Sequence, residues 1–419
     1  MKLLCLHQNF PGQYKNLVRH LARQGGHEIV FITQHPNEEF PGIRKIVYKP
    51  ARKPGAATHH YLRELEGAVL NGQAVARVCD QLRRTGFRPD IVLGHNGWGE
   101  PLYVKDIWPD VPLLGYFEFF YRSSGSDVGF EPAGPPMLDD GPRLRTRNSI
   151  NLLGLDAADW GQAPTRWQRD QYPAYVRHKI SVIHEGVDTR VVCPKPDSAI
   201  VLAQSGIRLT RDDEVVTYVA RNLEPYRGFH MFMRAVPIIQ RRHPKAHVVI
   251  VGGDDVSYGR RPPVGKTWRQ VAMDEVGAMV DPSRLHFLGK VPYGQYLSIL
   301  RVSSVHVYLT YPFVLSWSML EAMSTGCVVV GSSTPPVLEV LRDGENGLLV
   351  DFFAPEEIAK RVDEVLEHPT RMQPLRDRAR ATVVRDYDAE SVCIPKLLGV
   401  MGRMMRGDAP HQETPRLCA

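Results

Sequence analysis

Two arginines, Arg221 and Arg227, lie six positions apart in a loop that follows the apolar segment 215–219. The apolar run predicts a buried strand, and the loop ends at Gly228. Guanidinium groups at the carboxyl end of a strand suit a diphosphate, which needs several fixed donors and positive charge. The pattern alone leaves a second interpretation open, in which both arginines are solvated surface residues.

A second candidate segment runs from residue 310 to residue 326. A strand is predicted to end near Leu309, and a helix is predicted with Ser316 as its N-cap and Gly326 as the residue after its last turn. Free amides at a helix N-terminus can hold an anion, so residues 316–318 form a second predicted phosphate cradle.

Glu321 lies inside this predicted helix among apolar neighbours. A carboxylate in such surroundings needs a partner, and the two hydroxyls of a ribose would supply one. A glutamate turned to solvent on the back of the helix is the alternative.

Candidates in the first half also follow predicted strands. Gly12 lies in a strand-to-helix loop and permits close backbone approach to a ligand, while the helix after it points amides at an anion. His95 follows the strand 91–93 in a glycine-rich loop with Trp98, and Glu118 and Tyr121 follow the strand 113–117. For the glycine, an ordinary turn remains the alternative, and for the others simple loop packing.

The elements that position these residues alternate between apolar strands and amphipathic helices. Residues 14–22 place apolar side chains at helical spacing, and Gly25 and Gly26 end that helix. Apolar runs predict strands at 3–6, 29–32, 91–93, 113–117 and 180–183, and a second series at 215–219, 247–251, 305–309 and 327–330. Such alternation favours an α/β fold with two doubly wound, Rossmann-like domains facing across a cleft that holds the ligand.

Composition and length limit the possible classes. A chain of 419 residues is too long for one core, and a formal net charge of +6 is too small for a typical nucleic-acid-binding surface. Six scattered cysteines without a C-x-x-C pair argue against a zinc site or a disulfide framework. No apolar run reaches the roughly 20 residues of a membrane span, and the apolar start is too short for a signal peptide. We therefore expect a cytoplasmic protein.

Taken together, these segments resemble the retaining GT-B glycosyltransferases of family 4, over roughly residues 1–390. Five features carry the resemblance: the Gly12 loop with the strand entry at 26–30, His95, residues 183–188, the loop with Arg221 and Arg227, and the helix with Glu321 continued by residues 335–339 and 343–350.

The resemblance implies a metal-independent hexosyltransferase that uses a nucleotide-sugar co-substrate and no cofactor. A UDP-sugar is favoured, with GDP- and ADP-sugars possible, and the acceptor would be a glycan, a lipid-linked sugar or a small molecule in bacterial glycan or polysaccharide biosynthesis. It also implies an acceptor-side domain at 1–190, a linker at 191–212, a nucleotide-sugar domain at 213–385, a helix at 386–405 packing back on the first domain, and a tail at 406–419.

By residue, the resemblance assigns catalytic roles to Arg221, Arg227 and His95, the arginines holding the diphosphate and the histidine touching the donor sugar. The donor site would further include Gly12, Gln13, Lys290, Val291, Ser316, Trp317, Ser318 and Glu321, with base contacts near Lys290 and ribose contacts at Glu321. The acceptor candidates are Trp98, Glu118 and Tyr121.

Two departures from the family pattern stand out. The first of the family's paired glutamates falls at Phe313, and its usual second basic residue, a lysine, is Arg227. Without that carboxylate a double displacement lacks a nucleophile, so we expect front-face substitution. A degenerate nucleotide-sugar-binding scaffold and a sugar-nucleotide epimerase or hydrolase remain alternatives.

The basic residues of the first half raise one further possibility. Arg143, Arg145 and Arg147, with Lys49, Arg52 and Lys53, could face anionic lipid headgroups at the inner membrane face. Solvated charges in loops are the alternative.

Overall fold

The computed structural model describes residues 1–36, 38–131, 138–203 and 205–410. The chain divides into two compact units, one formed by Met1–Gly186 with the chain from Ala389 onward and the other by Val187–Asp388. Each unit contains a parallel sheet with helices, which confirms the predicted pair of Rossmann-like domains.

The first unit is built on a seven-stranded sheet in the order β3-β2-β1-β4-β5-β6-β7. Its strands pair in parallel, and they are Lys2–Leu6 (β1), Glu28–Thr33 (β2), Ile43–Val47 (β3), Ile91–His95 (β4), Leu113–Tyr116 (β5), Trp160–Ala163 (β6) and Ile180–Val182 (β7). Its first helices are Lys15–Gln24 (α1), Arg63–Arg84 (α2), Val104–Ile107 (α3), Asp140–Arg147 (α4), Ser149–Ala157 (α5) and Arg166–Gln171 (α6).

The second unit begins with a two-stranded antiparallel pair, Ala199–Val201 (β8) and Arg208–Thr210 (β9). Its six-stranded parallel sheet has the order β12-β11-β10-β13-β14-β15, and the strands are Val215–Asn222 (β10), His247–Gly253 (β11), Leu285–Phe287 (β12), Val305–Tyr308 (β13), Val328–Ser332 (β14) and Leu348–Val350 (β15). Its helices are Phe229–Arg242 (α7), Trp268–Val276 (α8), Tyr293–Val302 (α9), Trp317–Ser324 (α10), Pro335–Leu338 (α11), Pro355–Glu367 (α12) and Gln373–Tyr387 (α13).

The end of the chain returns to the first unit. A π-helical turn, Ala389–Cys393, leads into the helix Ile394–Met405 (α14). Leu397, Val400 and Met401 of α14 belong to the same buried cluster as Leu17 of α1 and Leu3 of β1. Burial of this apolar face stabilises the return of the chain to the first sheet.

Residues 191–212, predicted to be a linker, are instead part of the second unit. Ile200 and Leu209 of the antiparallel pair are buried in one cluster with Val215 and Ile299. The weak periodicity of this stretch concealed two three-residue strands, which are too short to produce a clear pattern.

The cysteines of the described residues (Cys5, Cys79, Cys193, Cys327 and Cys393) are all free thiols. Cys418 and residues 411–419 of the predicted tail lie outside the described residues.

Candidate functional site

The carboxyl end of β10 carries both candidate arginines. Arg221 is the last but one residue of the strand, and its side chain is exposed, with no hydrogen bond or ion pair to the described residues. Arg227 closes a short 3-10 turn that begins at Pro225, and Gly228 after it has a positive φ of 69°. A Cβ at Gly228 would lie 2.3 Å from the Cβ of Leu309, so this turn requires glycine for both reasons.

Arg227 is only 8% exposed, yet it uses just one of its terminal nitrogens in the fold. Its Nη1 donates to Thr310 Oγ1 and to the Val314 carbonyl, both at 2.8 Å. Its Nε and Nη2 make no hydrogen bond, and its guanidinium makes no ion pair, with the part of the chain that the structure describes. The Nε–Nη2 edge of a guanidinium is the edge that holds a phosphate or carboxylate with two parallel hydrogen bonds.

Aromatic rings surround this guanidinium. The rings of Tyr258 and Phe313 lie 5.5 Å and 6.0 Å from the Arg227 guanidinium carbon. Phe313 also packs against Tyr226, with ring centroids 5.4 Å apart, and Tyr226 stacks on Tyr311 at 4.6 Å. Phe313 is therefore a buried, well-packed member of an aromatic cluster at the place where the resemblance leads one to expect a carboxylate.

Glu224, midway between the two arginines, was not predicted as a functional residue. It is buried, and its carboxylate accepts hydrogen bonds from the backbone amides of Ser257, Tyr258 and Gly259. This carboxylate fixes the loop after β11 and with it the Tyr258 ring beside Arg227. The chain offered one signal, an acid next to a proline in the loop between the arginines.

The helix α10 begins and ends as predicted. Ser316 is its N-cap, with the side-chain oxygen accepting from the Ser318 amide at 3.4 Å, and Gly326 follows its last turn with φ of 83°. The Ser316 amide donates to the hydroxyl of Tyr308 at 2.8 Å. The amides of Ser316 and Ser318 are thus hydrogen-bonded within the fold, which corrects the expectation of open amides for these two. Trp317, 39% exposed, opens the helix beside them.

Glu321 does have partners, as a carboxylate in apolar surroundings should. The phenols of Tyr293 and Tyr296 donate to its two oxygens, each at 2.6 Å. Lys290 forms an ion pair with Asp255 at 3.1 Å on the surface. Val291, by contrast, is partly buried against the hydrophobic core of the unit.

In the first unit, Gly12 opens a 3-10 turn, Gly12–Tyr14, before α1. Its φ is +52°, and a Cβ there would lie 2.6 Å from the ring of His7. The glycine was predicted for close approach to a ligand, but the packing of His7 already requires it.

A directed chain of hydrogen bonds runs from His7 to Glu118. The Asn9 amide donates to His7 Nδ1 at 2.8 Å, so the proton of the neutral ring is on Nε2. That Nε2 donates to Gln13 Oε1 at 2.5 Å, and Gln13 Nε2 donates to Glu118 Oε1 at 2.9 Å. Gln13 is thereby fixed by its neighbours, and Glu118 is an acceptor at the carboxyl end of β5.

His95 faces the other oxygen of Glu118 but is fully buried. Its Nδ1 accepts from the Gly97 amide at 3.1 Å, which leaves the proton on Nε2, 3.7 Å from Glu118 Oε2. Burial, and then the repulsion that a protonated His7 would exert, hold the pKa of His95 well below its ordinary value, so the ring is neutral near pH 7. His95 thus has no exposed surface, and its Nε2 makes no hydrogen bond with the residues that the structure describes.

Two of the three acceptor candidates, Trp98 and Glu118, lie next to His95. The Trp98 ring stacks on His95 with centroids 4.4 Å apart, while Tyr116 stacks at 5.1 Å. Tyr121 packs under the guanidinium of Arg147 at 3.7 Å, and burial raises its pKa to about 12. Trp98 and Glu118 therefore both lie next to His95, whereas Tyr121 packs against Arg147.

Glu100, which follows the same loop, was not predicted as a site residue. It is fully buried and accepts a hydrogen bond from the Tyr48 phenol at 2.6 Å. Burial raises the pKa of Glu100 to about 7. Its carboxyl group is therefore partly protonated at neutral pH.

The basic residues proposed to face a membrane are partly neutralised. Arg147 pairs with Glu64 and Arg52 with Glu66, each at 2.5 Å. No helix in the described ranges is long and apolar enough to cross a bilayer. Among these same residues, no group of three or more histidine, cysteine, aspartate or glutamate side chains is placed to hold a metal ion.

Comparisons with known proteins agree with this architecture. Residues 25–192 match the glycosyl transferase family 4 group, and residues 203–382 match glycosyl transferases group 1. A D-inositol 3-phosphate glycosyltransferase of Corynebacterium efficiens is 28% identical over 66% of this chain and 63% of its own length. The chain thus spans less than two thirds of that relative.

Two solved structures resemble the chain over almost its whole length. Sucrose-phosphate synthase from Thermosynechococcus elongatus has a TM-score of 0.69 at 18% identity and covers 97% of this chain and 99% of its own. Anabaena HepE in complex with UDP and glucose has a TM-score of 0.66 at 16% identity, and the match covers 96% of this chain and 99% of HepE. The chain accordingly has the GT-B fold of two Rossmann-like domains, and each of its halves is similar to a glycosyl transferase family model.

Proposed function

We propose that the protein is a retaining, metal-independent glycosyltransferase that moves a hexose-type sugar from a nucleoside-diphosphate sugar to a hydroxyl of its acceptor. A UDP-sugar is the favoured donor, since the similar HepE structure holds UDP and glucose. The acceptor is a glycan, a lipid-linked sugar or a small molecule in bacterial glycan or polysaccharide biosynthesis.

The observation that carries the proposal is the state of Arg227. A buried guanidinium is costly unless its hydrogen bonds and charge are satisfied. Arg301 and Arg376 are equally buried in this unit, and each uses two different nitrogens to donate to backbone carbonyls. Arg227 differs because only Nη1 is used, at the edge of the sheet where ligands of such folds bind. A diphosphate would accept hydrogen bonds from the unused nitrogens of Arg227 and balance its charge.

The surrounding residues fit the parts of such a donor. Arg221, exposed on the same strand end, adds a second positive charge for the diphosphate. The hydroxyls of Ser316 and Ser318, 3.1 Å apart at the start of α10, can donate to phosphate or sugar oxygens. Glu321 would accept the ribose hydroxyls, and the base would lie near Lys290.

The reaction we propose is front-face substitution. The acceptor oxygen forms a bond to the anomeric carbon as the bond from that carbon to the diphosphate oxygen breaks, and the acceptor proton passes to the departing phosphate on the same face. Arg221 and Arg227 stabilise the charge that develops on the phosphate. Phe313 cannot act as a nucleophile, which is why a covalent intermediate at this position is not proposed.

The acceptor side is assigned to the first unit, where Glu118 and Trp98 lie together at His95. The side chain of Glu118 is 29% exposed and can accept a hydrogen bond from a sugar hydroxyl. His95, being buried, is proposed to orient Glu118. Association with anionic lipid remains a separate proposal that rests on Arg145, Lys49 and Lys53, since Arg143, like Arg147 and Arg52, has an acidic partner, Asp140 at 3.9 Å.

A second candidate function is a nucleotide-sugar-binding protein without transferase activity, which the buried Phe313 favours. Measurement of nucleoside diphosphate released from UDP-, GDP- and ADP-glucose distinguishes the transferase from the binding protein. It would be measured first with water as acceptor, which also reveals a hydrolase, and then with D-inositol 3-phosphate, the acceptor in the name of the Corynebacterium relative.

Transfer with retained configuration, slowed at least threefold in Arg221→Ala, is the expected result. A loss of less than threefold, about 0.65 kcal/mol of barrier, would remove Arg221 from the reaction. Binding of nucleotide without turnover of any of these donors would favour the second function.

A further inference from the structure

The carboxylate of Glu321 is held between two phenols that extend from the beginning of α9. Tyr293 Oη donates to Oε1 and Tyr296 Oη donates to Oε2, both at 2.6 Å. The tyrosines are three residues apart, so they lie on one face of the helix, and their rings are 5.7 Å apart.

The two tyrosines differ in their surroundings. Tyr296 is 9% exposed and belongs to the core cluster that includes Met319 and Leu320 of α10, whereas Tyr293 is 42% exposed. Tyr296 therefore anchors the carboxylate from the interior, and Tyr293 holds it from the surface.

The protons of these contacts belong to the phenols. Burial, and then the negative charge of Glu321, raise the pKa of Tyr296 well above its ordinary value, so the phenol stays protonated and donates. A carboxylate that receives two donors in this way presents only acceptor oxygens to a ligand. Since a carboxylate has about four acceptor positions, two phenols and a vicinal diol can be bound together.

The position along α10 points to the same kind of ligand. Glu321 lies five residues after the N-cap Ser316, about 7.5 Å along the helix axis at 1.5 Å per residue. A diphosphate near the start of α10 and beside Arg227 would have its ribose farther along the helix, at the carboxylate.

We propose that Tyr293 and Tyr296 are positioning residues that orient Glu321 toward the ribose diol and so make the site selective for ribonucleotides over 2′-deoxyribonucleotides. This inference rests on the proposed function, because it requires a nucleoside diphosphate at this sheet edge. The predicted donor class is a ribonucleoside-diphosphate sugar, and deoxythymidine-diphosphate sugars are discriminated against.

Isothermal titration of the full-length protein tests this with three pairs of probes: UDP and 2′-deoxy-UDP, GDP and 2′-deoxy-GDP, ADP and 2′-deoxy-ADP. For the pair whose base binds, we expect the wild-type protein to bind the ribonucleotide at least tenfold more tightly. Tyr296→Phe should reduce this ratio to threefold or less, and Tyr293→Phe should reduce it at least twofold. Tyr175→Phe, an exposed tyrosine of the other unit, is the matched control and should leave it unchanged.

The ratio separates positioning from folding, because a tyrosine that only stabilises α9 would weaken both nucleotides equally. An unchanged ratio in both variants, or no preference in the wild-type protein, would overturn the proposal. If Tyr296→Phe does not fold, exposed Tyr293→Phe decides alone. If the wild-type protein bound none of the six probes, the proposed donor site itself would fail, an outcome distinct from binding that does not depend on the tyrosines.

Discussion

Replacement of Arg227 by methionine removes the buried guanidinium and leaves an unbranched apolar side chain in its place. Two hydrogen bonds from Nη1 are lost, each contributing about 1.5–3 kcal/mol as a bond to a charged group. Removal of the ion also relieves a desolvation cost of several kcal/mol. These terms oppose each other, so we expect the free energy of unfolding to stay within about 2 kcal/mol of the wild-type value.

Binding should change far more than stability. Loss of the Nε–Nη2 edge and of the charge should weaken UDP, or whichever of GDP and ADP binds, at least 100-fold, about 2.7 kcal/mol. Chemical denaturation with and without the nucleotide measures both quantities. At a concentration 100 times the wild-type Kd, the ligand should stabilise the wild-type protein by about 2.7 kcal/mol and Arg227→Met by no more than about 0.4 kcal/mol.

Arg301→Met is the matched control for this experiment. Arg301 is as buried as Arg227 and donates to the carbonyls of Cys193 and Val191 at 2.9 Å and 2.6 Å. Its replacement should lower stability but leave stabilisation by the nucleotide intact. If Arg227→Met were stabilised by the nucleotide as strongly as Arg301→Met, Arg227 would be a structural residue and our reasoning about its unused edge would be refuted.

Two further predictions concern the first unit. Since burial raises the pKa of Glu100 from 4.5 to about 7, its contribution to stability is present below pH 4.5 and is lost as the pH rises through 7. In urea unfolding, the free energy of unfolding of Glu100→Gln relative to the wild-type protein should therefore rise by on the order of 3 kcal/mol between pH 4.5 and pH 8. Curves of unfolding free energy against pH that run parallel for the two proteins would contradict this. Gly12→Ala should cost about 1–3 kcal/mol through its positive φ and additional free energy through contact with His7. Gly86→Ala, after the end of α2, also has a positive φ (84°) but no atom within 4 Å, so equal losses in the two variants would show that the His7 contact is unimportant.

The fold could be predicted from the sequence because most strands are continuous apolar runs. Two strands of the first sheet gave no such signal. Ile43–Val47 lies at the sheet edge, is only partly buried and includes Arg44 and Lys45. Trp160–Ala163 is buried, but its four residues include a glycine and a glutamine. Short or half-exposed strands are specified by their neighbours in the sheet, and this information is not local.

The positions of some candidate residues could be predicted, because they follow from the order of strands and helices along the chain. Arg221 and Arg227 follow a strand, and Ser316 precedes a helix whose apolar pattern is clear. The phenols at Glu321 could not be predicted, because Tyr293 and Tyr296 reach it from another helix. The same holds for the contact between Gln13 and Glu118, which are 105 residues apart in the chain and meet because β1 and β5 end at the same edge of one sheet.

The central claim, a nucleotide-sugar donor site at the carboxyl end of β10, is tested most directly by nucleotide binding. Thermal denaturation of the wild-type protein and of Arg221→Ala would be measured with UDP, GDP, ADP and their hexose conjugates. Because Arg221 is exposed and has no partner among the described residues, its replacement should leave stability without ligand unchanged. We predict that one nucleotide family stabilises the wild-type protein, by about 2.7 kcal/mol at 100 times its Kd, and that Arg221→Ala loses this effect. Absence of stabilisation by every nucleotide, or an equal response of the variant, would contradict the assignment.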